Sequence, residues 1–266
     1  MSDFLQSMAT TSAERAAQIS TPFTSADFDK PVVPLALEKF DVIAEIKERS
    51  PAEGDLSVAG TNRQQRASSY ASGGAAAISV LTEPSRFDGD LSHLEEVAAA
   101  VPGTPVMRKD FLVEPTQILE ARKAGASGVL LIATMLNDAT LTEMLSRAWE
   151  HEMFVLLEAF DDDDLRRASA QLETPTNKDK ADAGQLLVGV NTRNLRTLEV
   201  DAERLKKLAP LLPAARCVAE SGLRVAADAA RVAGWGYNMA LVGTALMRSD
   251  DPAALIAAMR TAGANA

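Results

Sequence analysis

The sequence predicts an α/β chain folded as a single (β/α)8 TIM barrel with an N-terminal helical extension, on three observations. A chain of 266 residues with 47% apolar side chains can bury a large core, and barrels of this type occupy about 250 residues as one unit. Short aliphatic or β-branched runs alternate with Ala-rich amphipathic segments, the strand-then-helix pattern of a parallel sheet. The alternation repeats eight times, with about 23 to 34 residues between successive starts, enough for a strand, a loop and a crossover helix. Glycine and proline are spread along the chain and nothing resembles a linker, so residues 1–266 read as one domain: an extension over 1–40, a core over 41–250 and a C-terminal helix over 251–266.

In chain order, the extension holds a weakly helical S-A-E-R-A-A-Q-I-S and then a Pro- and Thr-bearing stretch up to Leu37, which together suit a cap over one end of the barrel. The strands follow as V-I-A-E-I near 42, A-A-I-S-V-L near 76, P-V-M-R near 105 and G-V-L-L-I near 128. M-F-V-L-L-E near 153, Q-L-L-V-G-V near 185, A-R-C-V-A near 215 and M-A-L-V-G near 239 complete the set. A doubly wound open sheet would carry a Gly-rich fingerprint after its first strand, whereas this strand leads into K-E-R-S-P-A-E-G-D-L. The segment Leu172 to Gly184 is polar and lacks an apolar period, which predicts an exposed loop.

Composition narrows the function. The net charge of -10 repels nucleic-acid phosphates and anionic lipid, so neither is an expected partner and an anionic ligand needs a local site. No apolar run approaches the roughly 18 residues of a membrane span, and the first residues lack a basic segment followed by an apolar one, pointing to a cytoplasmic protein. Cys217 is the one cysteine and reads as a small buried hydrophobe; His93 and His151 fall in helical segments and read as surface residues. Asp161 to Asp164 follow a strand and suit the positive end of a helix better than a metal ion. No metal site is expected. The oligomeric state stays open, with a monomer favoured.

In parallel barrels the chemistry sits where the strands end. Glu45 and Lys47 end the first strand, Arg108, Lys109 and Asp110 the third, and Glu158 the fifth; Asn191 and Arg193 follow the sixth, and Glu220 and Ser221 the seventh. These groups are expected to converge on one rim. Glu45 and Lys47 lie two apart and so point to one side of their strand, and a mixed Glu/Lys network inside a barrel mouth suits general acid–base work. The small-residue turns A-E-S-G-L and L-V-G-T-A-L-M, after the seventh and eighth strands, leave backbone N–H groups open to a phosphate.

In this order, V-I-A-E-I-K-E-R-S-P, A-I-S-V-L-T-E, M-R-K-D-F, G-V-L-L-I, V-G-V-N-T-R-N-L-R-T, A-E-S-G-L and L-V-G-T-A-L-M resemble the indole-3-glycerol phosphate synthase family over about Val42 to Met247. The resemblance implies a cofactor-free lyase of tryptophan biosynthesis, which converts the anionic sugar phosphate 1-(2-carboxyphenylamino)-1-deoxyribulose 5-phosphate into indole-3-glycerol phosphate, carbon dioxide and water. It implies Lys109 as the acid of ring closure and Glu158 with Lys47 as the proton-transfer pair of dehydration. Glu45 would orient Lys47, Asn191 would fix sugar hydroxyls and catalytic side chains, and Arg193 with Glu220 would complete the polar wall. Ser50 and Pro51 match a loop over the substrate, and Ser221, Gly222, Gly243 and Thr244 the phosphate end. Phe87, Phe111, Leu131, Leu195 and Leu241 match the lining of the aryl ring.

The chain departs from the family pattern at Phe160, where histidine is usual, at Thr192, where asparagine is usual, at Ala52-Glu53 in the first loop, and in the segment 172–184. A second barrel enzyme, phosphoribosylanthranilate isomerase, would carry a cysteine on the first strand, where this chain has Glu45 and Lys47. A barrel that binds a sugar phosphate or a partner protein without turnover is the alternative from another class.

Overall fold

The computed structural model describes residues 3–20, 22–50, 54–56, 62–193, 195, 200–201 and 203–266. Eight parallel strands close on themselves: β1 (Asp41–Ile46), β2 (Ala77–Leu81), β3 (Val106–Lys109), β4 (Gly128–Ile132), β5 (Phe154–Ala159), β6 (Leu186–Asn191), β7 (Arg216–Glu220) and β8 (Met239–Val242). All eight fall where the aliphatic runs place them. Closure is made by β1 against β8, with Asp41 opposite Met239 and Ala44 opposite Val242. Nearly every strand residue is buried, because one face packs into the barrel and the other against helices, which is why these strands read as continuous apolar runs.

The helices of two turns or more are α1 (Asp3–Ala16), α2 (Arg63–Ser72), α3 (Leu91–Ala100), α4 (Thr116–Ala124), α5 (Asp138–Glu150), α6 (Asp162–Leu172), α7 (Pro175–Asp182), α8 (Ala226–Ala233) and α9 (Pro252–Ala264). The four aspartates behave as a helix start: Asp161 caps α6 by accepting from the Asp164 N–H at 3.0 Å, and the next three fill its first turn. Cys217 is buried, which pushes its thiol up to about 12, and no cluster of potential metal ligands exists among the described residues. No helix among them is long and apolar enough to cross a membrane.

Three expectations change. The segment 172–184 is not a loop: Thr174 caps α7, Pro175 occupies its first turn, Ala181 is buried, and Trp149 Nε1 donates to Asn177 Oδ1 at 2.9 Å. A helix of two turns buries too narrow a stripe to register as an apolar period. The extension begins its helix nine positions before the predicted Ser12, at Asp3, and only α1 lies at the mouth. From there the chain descends over α4, with Arg122 donating to the Phe28 carbonyl and the Val33 N–H donating to Ser127 Oγ, to Phe40 at the far end of β1. His93 and His151 are half-buried rather than on open surface; the His151 ring packs on Phe28 at 4.5 Å, and burial lowers both imidazole pKa values.

Candidate active site

Side chains alternate along a strand, so the strand ends send Glu45, Lys109, Glu158, Asn191 and Glu220 into the barrel mouth, where all five line one cavity of about 1040 Å³ with Lys47. Lys47 Nζ lies 2.6 Å from Glu45 Oε1. Lys109 Nζ is held between two carboxylates, 3.9 Å from Glu45 Oε2 and 3.8 Å from Glu158 Oε2. Asn191 Nδ2 donates to Glu158 Oε1 at 3.2 Å, and Asn191 Oδ1 accepts the Arg193 backbone N–H at 2.9 Å. The two lysines are thus tied through Glu45, and Lys109 is tied through Glu158 to the end of β6.

Two glycines make this crowding possible. Glu158 stands opposite Gly189 on β6, and Asn191 opposite Glu220 on β7; a Cβ at Gly189 would lie 1.9 Å from Glu220 Oε1, so the missing side chain is what lets that carboxyl lean toward Glu158. A Cβ at Gly243 would lie 2.3 Å from Glu45 Oε1 and 2.9 Å from Lys47 Nζ. Gly243, expected only at the phosphate end, therefore also houses the Glu45–Lys47 pair.

Burial alone would raise the Glu45 pKa, but the charges of Lys47 and Lys109 outweigh it and hold the carboxylate below its usual range. Burial alone would likewise lower Lys109, and the charges of Glu158, Glu45 and Glu220 outweigh it and keep the ammonium protonated. Glu220 goes the other way. It is desolvated and faces Glu158, so its pKa rises well above normal. With its proton, Glu220 can share a hydrogen bond with Glu158, which two ionised carboxylates could not.

Around this polar floor the lining is mixed. Phe87, Phe111, Leu130, Ile132, Leu195 and Leu241 supply its apolar lining. Arg193, Ser221, Gly222, Gly243 and Thr244 also line it. Ser221 and Gly222 both adopt positive φ, 67° and 81°, a backbone that suits glycine and strains serine. A Cβ at Gly222 would meet only Thr192 Oγ1, at 3.8 Å, so the space there is open. Thr244 opens a one-turn helix, Thr244–Met247, whose first N–H groups lack intrahelical acceptors.

Sequence reasoning misplaced some residues and missed others. Leu131 is fully buried and lines no part of the cavity; its neighbours Leu130 and Ile132 do, because successive β4 side chains face opposite ways. Arg108 also points away from the mouth, into a buried pairing with Asp110 at 3.2 Å and Glu120 at 2.7 Å, since it alternates with Lys109. Phe160 is fully buried and lies outside the cavity lining, so its ring serves packing rather than the site. The backbone of Ser50 pairs with Gly54 in a short antiparallel ribbon, while its side chain, with Pro51, Ala52 and Glu53, lies outside the described residues. Phe4 and Ser7 of α1 also line the cavity; no local pattern signalled this, because it follows from where the helix docks.

A closed parallel barrel whose paired lysines and carboxylates meet at the strand ends defines a (β/α)8-barrel enzyme with an acid–base centre. The family model for "Indole-3-glycerol phosphate synthase" matches residues 6–259. Relatives of that name are 44% identical over 86% of this chain and 81% of theirs, in Parafrankia sp. (strain EAN1pec), and 45% identical over 84% and 77%, in Mycolicibacterium gilvum (strain PYR-GCK). The chain belongs to the indole-3-glycerol phosphate synthase family. Among solved structures, 3-hexulose-6-phosphate synthase from Salmonella typhimurium superposes with a TM-score of 0.62 at 16% identity, over 85% of this chain and 99% of that one, a likeness of fold.

Proposed function

We propose that the chain closes the indole ring, converting 1-(2-carboxyphenylamino)-1-deoxyribulose 5-phosphate into indole-3-glycerol phosphate with loss of carbon dioxide and water. The observation that carries the assignment of roles is the Lys109 ammonium, kept charged between Glu45 and Glu158 on the cavity floor. Ring closure needs the aryl carbon bearing the carboxylate to attack the ketone carbon, and the ketone oxygen gathers negative charge as it does so. Lys109 donates a proton to that oxygen. Loss of carbon dioxide then leaves its electron pair in the ring and restores aromaticity. Dehydration needs a second proton on the new hydroxyl, which departs as water, and removal of the proton left on the ring-closed intermediate. Lys47, in contact with Glu45, and Glu158, which accepts from Asn191, carry this exchange.

The substrate's ring is assigned to the apolar residues Phe87, Phe111, Leu195 and Leu241, and its phosphate to Ser221, Gly222, Gly243 and Thr244, all of which line the cavity with Arg193. Backbone N–H donors there can hold an anion despite the net charge of -10. The test is Lys109→Ala, followed by indole fluorescence. A folded variant should lose at least about 10²-fold in turnover; near-normal turnover would remove Lys109 from the acid role.

A further inference from the structure

We propose that Arg66, on α2, is a positioning residue for the phosphate end: it holds the turn after β8, Gly243 to Met247, by its closing carbonyls and so keeps Gly243 and Thr244 aimed into the cavity. The inference rests on the ring-closing function above, which assigns the phosphate to that turn, and adds to it a residue outside the cavity lining.

α2 buries Arg66, Ala67 and Tyr70, and a buried guanidinium needs acceptors for its N–H groups. Arg63, three residues earlier, finds carboxylates, Glu48 and Glu96. Arg66 pairs with no carboxylate among the described residues and turns instead to the backbone beyond β8. Its Nη1 donates to the Leu246 carbonyl at 3.1 Å and to the Ser249 carbonyl at 3.5 Å. Carbonyls that close a helical turn are where the aligned peptide dipoles favour a cation. Gly243, Thr244 and Ala245, which open the turn, line the cavity, while Leu246 is fully buried. Tyr70 lies four residues on, on the same face of α2, with its Oη 3.5 Å from both Met247 Sδ and the Glu45 carbonyl. One face of α2 therefore meets both the end of the phosphate turn and the strand that carries Glu45. A clamp fixes a turn only if it is fixed itself, and α2 is held at both ends. At its start Asn62 Oδ1 accepts the Gln65 N–H at 2.8 Å and Gln65 Oε1 accepts the Asn62 N–H at 3.1 Å, a reciprocal cap. At its end a Cβ on Gly73 would lie 2.7 Å from the Ala253 backbone, so the helix is seated directly on α9.

The experiment measures the affinity for inorganic phosphate by calorimetric titration, beside KM and kcat. Arg66→Met should weaken phosphate binding by about 5- to 10-fold and raise KM by a similar factor, the loss of a hydrogen bond from a charged donor. Turnover should change less than about 2-fold, because Lys47 and Lys109 keep their own carboxylate partners. Arg66→Lys keeps the charge without the guanidinium's reach and should recover part of both losses. Arg66→Gln, neutral and shorter but still polar, should behave as the methionine variant and decides the matter if that variant does not fold. A merely structural arginine would lower Tm on substitution and leave phosphate affinity where it was. A folded Arg66→Met or Arg66→Gln protein with unchanged phosphate affinity and unchanged KM overturns the proposal. Failure of the wild-type chain to turn over the substrate instead overturns the ring-closing function, so the two failures are distinguishable.

Discussion

The Glu220 carboxyl is buried against Glu158 and occupies the gap that Gly189 leaves. Because its pKa is raised in the folded protein, the folded state keeps a proton that the unfolded state releases near the ordinary value of 4.5. Stability is therefore unaffected by this group below that pH and declines as pH rises from there toward the raised value. Glu220→Gln, neutral at every pH, should flatten this decline and be more stable than wild type at alkaline pH; urea titrations at pH 4, 6 and 8 would show it, and parallel pH profiles would contradict it. At Gly189 the constraint is steric. Gly189→Ala should displace the Glu220 carboxyl, whose oxygen lies 1.9 Å from the added Cβ, and lower turnover by about 10-fold or more, measured by indole fluorescence on folded protein. Of the site, what was legible in the sequence was the convergence of the charged strand-end residues on one mouth, since charged residues ending buried strands stand out. Leu131 in place of Leu130 was not: a strand buried on both faces has no polar alternation to say which side chain faces inward.

α1 and α7 show what a linear reading of elements leaves out. Both are short of a local apolar period, and both are fixed by tertiary partners: Arg15 on Asp110 for α1, Trp149 on Asn177 for α7. Replacing residues 173–182 by a Gly-Ser linker should therefore cost about 2 kcal/mol or more of stability through the lost Ala181 and Asn177 contacts. Turnover at 25 °C should stay within a few-fold, since none of these residues lines the cavity. Chemical denaturation together with initial rates checks both parts. Asp110 is held down to about 2, against an ordinary 3.8, because Arg15 and Arg108 outweigh its burial. The stability it supplies is complete above 3.8 and is lost as pH falls toward 2. Asp110→Asn should accordingly cost about 3 kcal/mol at pH 7, where two cations lose their counter-charge, and the difference from wild type should shrink below pH 3.8. A constant difference down to pH 2 would show that packing, not charge, holds the contact.

Across the whole molecule, the eight-fold alternation made the barrel legible because each strand and helix buries its own face, a pattern that composition repeats along the chain. Closure itself followed from the eight repeats, but the register at which β1 meets β8 and the seating of the last helix were not legible, since they depend on residues far apart in sequence. Phe40 packs on Gly263 of α9, where an added Cβ would lie 2.3 Å from the ring. Arg260 of α9 donates to Asp41 Oδ1 at 3.2 Å. Gly263→Ala should cost about 1–2 kcal/mol net, the overpacking against Phe40 exceeding the roughly 1 kcal/mol that alanine contributes in a helix. A scanning calorimetry trace would show a lowered Tm, and a raised Tm would mean that the ring moves aside without cost.

The space that Gly243 leaves for Glu45 and Lys47 has a consequence during synthesis. The pair is translated almost two hundred residues before the glycine that accommodates it, and β1 has its partner β8 only once residues 239–242 exist. A nascent chain still on the ribosome therefore presents two open parallel strand edges and a pair of charges with no finished housing. It can neither bind substrate nor bury those edges until its last quarter-turn of sheet has emerged. For this chain the interval between making Lys47 and making Gly243 is the period of greatest exposure to mispairing with other chains, and it ends in the same event that completes the catalytic centre.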